Sequence, residues 1–494
     1  MPEDLFLNPR ESLGRSFQRL VSEKPIHYLG FAPYMIHSNM RFVYIYNYIF
    51  GIREGIKRGK FKANENLLNL CKYVVQAKVD PFEETAGDHE PGLVAATREV
   101  ACLLEQLLQS NDPYLLRYQL DLIRNMLIEL CHHSDPEIEE ENKSNFDAFT
   151  KSFNCVRGVA MHGIFQYSLY IAQQKGIDKS TKLEEDFLEL EIQELLEEKL
   201  DKTNDLSPAV HSVYGCFLTR LYFLSSKWVK THLLEIFPEE NENSIYWKAA
   251  WDAYVLSSNV FPKIVEILIP QYQRGLLYLG KSKEEQEYWG NSPKERLAQH
   301  IFLAYLRNLT DFDNENKLLD LFFENAEDSV RAKGIFWLNQ VLADEKPSEK
   351  DPLWSKCWSL WQRRIDYAET QEILQNSQEI SNYMRWLKNC PLGMVTLFPI
   401  LSKSIKYFHD SYDSMLLIEF AANQSEIFPL ESITLLQMVI LSAKDSWWNL
   451  KHEDEEKIIK MAIKNHNDKA KTLAFEIINY FGENGDYQWR NLLE

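Results

Sequence analysis

The 494-residue sequence has no long apolar run. Its most apolar stretches, Phe42–Phe50 and Ile433–Ala443, carry polar interruptions and fall short of the roughly 18 residues that span a bilayer. The opening residues, Met1-Pro-Glu-Asp-Leu5, lack the charged-then-apolar pattern of a secretory signal. No membrane partner is expected. Cys-x-x-Cys is missing, and the seven cysteines (71, 102, 131, 155, 216, 357 and 390) are scattered and odd in number. That usage predicts reduced, buried thiols in a cytoplasmic protein. Hairpin-turn dipeptides are nearly absent; Asn484-Gly485 stands alone near the end, which argues against sheet. Positive charge is scarce: 54 Lys and Arg face 73 Asp and Glu, for a net charge of −19. Binding nucleic acid in general needs a basic footprint for the phosphates, so this balance argues against it without excluding a local patch.

Catalytic signatures are also missing. There is no GxxxxGK[ST]. Gly51, Gly55 and Gly59 are spaced by four and lead into Lys60, which does not build a phosphate cradle. No HExxH, GxSxG or dinucleotide fingerprint occurs, so no cofactor is expected. Cys131-His132-His133 offers ligand types, but consecutive helical residues point in three directions and cannot close a tetrahedron. Asp311-Phe-Asp313-Asn-Glu315 opens like a calcium loop. Asn316 replaces the required Gly, however, and Phe322 stands where a bidentate Glu belongs.

Two constellations remain as enzymatic alternatives. His409-Asp410 is the dyad of helical metal-dependent phosphohydrolases, which need a further His and Asp from other helices. Arg157 and His162 have the Arg-x4-His spacing of helical HEPN-type ribonucleases, with Gly158 where a polar residue is usual. Five residues turn an α-helix by about 500°, so the two side chains point about 140° apart. The expectation is a structural Arg157 and a His162 that is not a catalytic base.

What is present is helix punctuation. Asp112-Pro113, Asp135-Pro136, Ser207-Pro208, Ser292-Pro293 and Asp351-Pro352 each set a capping residue before Pro at a first helical position. Ser292 with Glu295, and Thr181 with Glu184, make capping boxes. Phe42–Phe50 is rich in strand-favouring residues, but its helical neighbours predict a buried helix. Arg53, Lys57, Arg58, Gly59, Lys60 and Lys62 read as its C-terminus, with cations on the dipole and a Gly stop. Aromatics make up 13% of the chain, and Trp354, Trp358 and Trp361 share a helical face, as do Trp247, Trp251 and Tyr254; such stripes belong to cores.

The stretch Asn154–Tyr170 predicts a buried helix capped by Asn154, with Val156, Ala160, Ile164 and Tyr167 on one face. Its pattern of capping acid or amide, small apolar residue, cation and small residue returns at Asp328-Ser-Val330-Arg331 with Gly334. It returns again at Asp468-Lys-Ala470-Lys471 with Ala474, and more weakly at Pro208-Ala-Val210-His211. Stacked helical hairpins need such parts. From Val156 the steps to the echoes are 54, 120 and 140 residues, so no single period holds. The fold class is therefore all-α, an irregular helical-repeat (HEAT/TPR-like) α-solenoid. Acidic linkers suggest segments at 1–140, 146–345 and 346–494.

Three segments together resemble one known pattern. They are Val156-Arg-Gly-Val-Ala-Met-His162; Trp228 with Ile236-Phe-Pro238 and Tyr246-Trp-Lys-Ala-Ala-Trp251; and Phe481-Gly-Glu-Asn-Gly485 closing on Trp489-Arg-Asn-Leu-Leu493. Over about 140–494 the chain is similar to the C-terminal helical region of large bacterial P-loop ATPases of the signal-transducing, antiviral-defence type. These are packing motifs, and no Walker motif accompanies them. The resemblance implies a sensor or scaffold part that binds a protein, such as an ATPase subunit or a phage component, in bacterial antiviral defence.

Overall fold

A computed structural model describes residues 9–37, 40–58, 64–81, 90–109, 115–143, 147–175, 186–240, 244–280, 292–345, 351–372, 375–408, 411–442, 452–485 and 487–492. Among them all regular structure is α-helix or short 3-10 helix, with no strand. No helix of the described residues is long and apolar enough to cross a membrane. The strand-like run from Phe42 lies in the helix Phe42–Lys57, where Ile45, Tyr48, Ile49 and Ile52 are fully buried. Burial against neighbouring helices outweighs the weak intrinsic preference of β-branched and aromatic residues.

Three of the five Pro-marked starts behave as expected. Ser207 Oγ accepts from Val210 N at 3.2 Å, Ser292 Oγ from Glu295 N at 3.3 Å, and an Asp351 carboxylate oxygen from Leu353 N at 2.9 Å. Asp112-Pro113 and the Thr181–Glu184 box lie outside the described residues. Asp135-Pro136 departs from expectation: its peptide is cis, and the next helix begins at Ile138.

Among the described residues the chain forms two compact units, the first running to Ile267 and the second from Leu268. In the first unit, Pro9–Glu23, Phe42–Lys57, Leu93–Gln109, Val156–Gln174, Pro208–Leu224 and Ser244–Ser257 pack each against the next in that order. A second series, Ala32–His37, Glu65–Gln76 and Arg117–Cys131, runs alongside. The helix Val156–Gln174 joins both series, because it also packs on Arg117–Cys131. It is therefore covered on more than one side: 14 of its 19 residues are buried, rather than the single apolar face read from the sequence.

Among the described glycines of this unit, the closest helix approach is at Gly215. A Cβ there would stand 1.9 Å from the Ala250 carbonyl oxygen of the neighbouring helix Ser244–Ser257. Backbone cannot yield as a flexible side chain can. Gly215→Ala is expected to cost about 1–3 kcal/mol through overpacking, read as a lowered midpoint in urea.

In the second unit, Pro293–Leu306 packs on Asp328–Glu345, which packs on Ser377–Asn382 and the 3-10 turn Tyr383–Lys388. Gly334 provides the expected close contact here, with Phe302 and Ala298 directly over its Cα. Pro352–Ala368 inserts Trp354 and Trp361 into the core, where Trp361 stacks on Tyr383 at 5.4 Å and meets Trp386 edge-on at 6.1 Å. The helices Ser411–Gln424, Pro429–Ser442, His452–Lys464 and Asp468–Glu483 complete this unit as a cluster. All seven cysteines are free, with Cys71, Cys131, Cys155 and Cys357 buried.

Candidate functional site

The Val156 helix is capped from a distance. Its N-cap residue is Cys155, which makes no side-chain cap bond, and the Asn154 side chain instead donates to Thr150 O at 2.8 Å. The first turn is held by Asp135: Val156 N donates to Asp135 Oδ2 at 2.5 Å and Arg157 N to the Asp135 carbonyl at 3.0 Å. Asn154 as the cap is thus corrected. A carboxylate 21 residues upstream reaches the free N–H groups and favours the positive end of the helix dipole.

In neither echo does the expected Asp cap its own helix. Asp328 opens the helix Asp328–Glu345, but its carboxylate accepts from Gln378 N and Glu379 N, each at 2.9 Å, capping Ser377–Asn382. For Asp468–Glu483 the cap is Asn467, accepting from Lys469 N at 3.0 Å.

Arg157 reaches across to two other segments. Nη2 donates to the Pro136 carbonyl at 2.7 Å, and Nη1 lies 3.4 Å from Asp205 Oδ2. Lys199 Nζ stands 3.9 Å from the same Asp205 oxygen, and Ser207 N donates to Asp205 Oδ1 at 3.0 Å. Nearby, Glu141 Oε1 accepts from Ala209 N at 2.6 Å, capping the helix Pro208–Leu224. One charged cluster therefore ties the starts of two core helices to the loops before them. Arg157→Ala leaves the buried Asp205 with Lys199 as its remaining cation. It is expected to lower stability by about 1–3 kcal/mol, checked by chemical denaturation.

His162 lies elsewhere. It is 2% exposed, with Phe153 at 4.3 Å and Phe217 at 5.3 Å between ring centroids. Its Nε2 is 3.0 Å from Ser152 Oγ. That hydroxyl donates its own proton to Phe149 O at 2.7 Å, so the imidazole is the donor to Ser152. The pair has the composition of a nucleophile and base with the hydrogen bond running the wrong way for activation. Burial, aided by the Arg220 charge, pushes the His162 pKa down to about 3. Arg157 and His162 do not converge on a common group.

The other ligand-type motifs are dispersed as well. Cys131 is buried, His132 Nε2 is 3.0 Å from Glu198, and His133 Nδ1 accepts from Asp135 N at 3.0 Å. In the 307–317 loop, Asn316 is the organiser: its Oδ1 accepts from Thr310 Oγ1 at 2.8 Å and its Nδ2 donates to Leu309 O at 2.9 Å. Asn308, Asp313 and Lys317 there adopt φ values of 58°, 57° and 51°. Asp313 pairs with Arg363 at 2.6 Å. Among the described residues no group of three or more His, Cys, Asp or Glu is arranged to hold a metal. His409 and Asp410 lie outside the described residues.

Two clusters were not foreseen. In the second unit, Glu379 is fully buried between two guanidinium groups. Arg331 Nε lies at 2.6 Å, and Arg364 donates through Nε at 2.6 Å and Nη2 at 2.9 Å. Arg331 also donates to Ala326 O, to Gln375 O at 2.7 Å and to Asn376 Oδ1 at 3.1 Å. Arg364 lies 4.1 Å from the Phe323 ring centroid.

In the first unit, Arg98, Cys102, Glu105 and Gln109 line one edge of the helix Leu93–Gln109 at i, i+4, i+7 and i+11. Arg53 from the helix Phe42–Lys57 pairs with Glu99 beside them at 2.5 Å. Burial raises the Glu105 pKa to about 7, against the opposing pull of Arg53, Arg220 and the Gln109 amide. Burial also raises the thiols, Cys102 to about 12 and Cys216 to about 11, so they are protonated and weak nucleophiles at neutral pH. Glu105 is the one group of this set suited to proton transfer near neutrality. Nothing in the local sequence marks it, since its neighbours come from three helices.

Comparison with protein-family models, with curated proteins and with solved structures yields no match.

Proposed function

We propose that the chain is a non-enzymatic helical-repeat scaffold or sensor, an irregular HEAT/TPR-like α-solenoid of the cytoplasm that binds a protein partner. The observation that carries this reading is the serial packing of six helices from Pro9–Glu23 to Ser244–Ser257, each on the next. Helices stacked in series present extended faces to a partner without dedicated chemistry. The consumption of charged groups within the fold supports it too: Arg157, Arg331 and Arg364 all end on internal carboxylates or carbonyls. The context proposed with it, bacterial antiviral defence with an ATPase subunit or a phage component as partner, rests on the resemblance of the three sequence segments alone.

The test is made on purified full-length protein, assayed for RNA cleavage and phosphate-ester hydrolysis with Mg2+ and Mn2+. Cross-linking in infected and uninfected cells is done in parallel. No turnover, together with a cross-linked protein partner, is the expected outcome. Turnover that disappears in both Arg157→Ala and His162→Ala, with unchanged melting of each, would overturn the scaffold reading in favour of a ribonuclease.

A further inference from the structure

One short segment caps two core helices at once. Asp135 receives the first turn of the helix Val156–Gln174: its Oδ2 accepts from Val156 N at 2.5 Å and its carbonyl from Arg157 N at 3.0 Å. Further along the same segment, Glu141 Oε1 accepts from Ala209 N at 2.6 Å, in the first turn of the helix Pro208–Leu224. Between the two carboxylates in sequence, the Pro136 carbonyl accepts from Arg157 Nη2 at 2.7 Å. Pro208 has no N–H, and Val210 N is served by Ser207 Oγ at 3.2 Å, so the Ala209 N–H depends on Glu141. The two capped helices pack on each other, so the segment spans two neighbouring positive helix ends.

The segment has little else to hold it. Among its described side chains, from 135 to 141, only Pro136 is buried; Asp135, Ile138 and Glu141 are half-buried, and Glu137 and Glu139 are exposed. Asp135, Glu137, Glu139, Glu140 and Glu141 make it acidic almost throughout, with no cation of its own. Glu137 and Glu141 stand four apart at the short helix Ile138–Lys143, a like-charge spacing that weakens an isolated helix. The closed form therefore relies on opposite charge from outside the segment: the Arg157 guanidinium and the partial positive charge of two helix starts. On its other side Arg157 faces Asp205, which it shares with Lys199. A segment that buries so little belongs to the low-stability end of a fold, where local opening is cheapest.

The two caps sit on one short stretch of chain, so making one holds the other near its target and raises its effective concentration. Losing either one loosens both. We propose that residues 135–141 act as a clasp that opens and closes as one body, uncapping the two core helices together. Opening leaves the N–H groups of Val156, Arg157 and Ala209 free beside the Arg157 guanidinium. The proposal goes beyond the protein-binding reading and does not rest on it.

The experiment is amide hydrogen exchange read by mass spectrometry on the full-length protein. Peptides covering Val156–Arg157 and Ala209 report the two helix starts, and peptides from the centres of the same helices serve as reference. The parent is compared with Asp135→Ala and Glu141→Ala. Each substitution is expected to speed exchange about fivefold or more at both helix starts, including the one whose cap it does not touch, with the centres unchanged. Faster exchange confined to the helix that lost its own cap would overturn the proposal, because the caps would then act independently. An equal rise at the helix centres would overturn it too, since the segment would then open only with the whole unit. No change at either start would show that the amides are protected by something other than the clasp, and would overturn it as well.

Discussion

Glu379→Ala lowers the stability of the second unit by about 3–5 kcal/mol, the range for a buried ion pair broken from one side. The carboxylate is fully buried and is the shared acceptor of two guanidinium groups. Its removal strands Arg364 in a nearly closed site, because among the described residues both hydrogen bonds of the Arg364 side chain end on Glu379. Arg331 is less exposed to the loss, since it keeps the Gln375 carbonyl at 2.7 Å and the Asn376 amide oxygen at 3.1 Å.

Two further variants separate charge from shape. Glu379→Gln retains an acceptor oxygen but not the charge, and is expected to fall between parent and Ala. Replacing Glu379 and Arg364 together by apolar residues of similar volume should recover much of the loss, because the stranded guanidinium goes with its carboxylate while Arg331 keeps its carbonyl partners. Guanidinium denaturation followed by tryptophan fluorescence reads this directly, as Trp361 and Trp386 lie in the same unit. The curve is fitted to more than one transition, since the two units need not unfold together. A loss under 1 kcal/mol in the Ala variant would show that the guanidinium groups find water.

Acid weakens the first unit through two buried histidines. Burial pushes His162 down to about 3 and His211 down to about 4, the latter despite its bond to the Ile236 carbonyl at 2.8 Å. In the unfolded chain both titrate near 6.5. Between that value and the folded one, the unfolded state binds more protons, so stability rises with pH across this window. The contribution is fully present above about 6.5 and is lost as pH falls. At about 1.4 kcal/mol per unit, His211 accounts for about 3 kcal/mol by pH 4 and His162 for a similar amount there, with more lost by pH 3.

Glu105 acts in the opposite direction. Its folded value near 7 lies above the ordinary carboxylate value, so it removes stability as pH rises from about 4.5 to 7. The clean measurement is therefore a difference between proteins. The midpoint in urea at pH 7.5 and pH 4.5 is compared for the parent, His162→Phe and His211→Gln. Each variant should fall less on acidification than the parent. An identical drop in all three would mean that the histidines are protonated without unfolding.

Much of the architecture was legible before any coordinates. The near absence of hairpin turns and the Ser or Asp before Pro at 207, 292 and 351 specify an all-helical chain and three of its starts. Of the tryptophan stripe 354, 358 and 361, read as core, Trp354 and Trp361 are buried and Trp358 is half-buried, and Gly334 was readable as a contact point. The candidate sites were not readable. Arg157 was expected to be structural, but neither Asp205 nor Pro136 could be named as its partner. The cap of its helix was assigned to adjacent Asn154 instead of Asp135.

The sequence alone determined the all-helical class and the helix starts at 207, 292 and 351, because those depend on interactions within a turn or two: side-chain oxygen to N–H at i+2 or i+3, and apolar spacing at i+3 and i+4. Only the tertiary structure decided which charge meets which. Arg157 and Asp205, and Arg331 and Glu379, are each 48 residues apart. The exposure of Leu13 and Leu20 on the helix Pro9–Glu23 is likewise a tertiary result, since both look in sequence like any other core positions. A helix specifies its own faces through its periodicity. Which face is left over for a partner is settled only when every other helix has been packed.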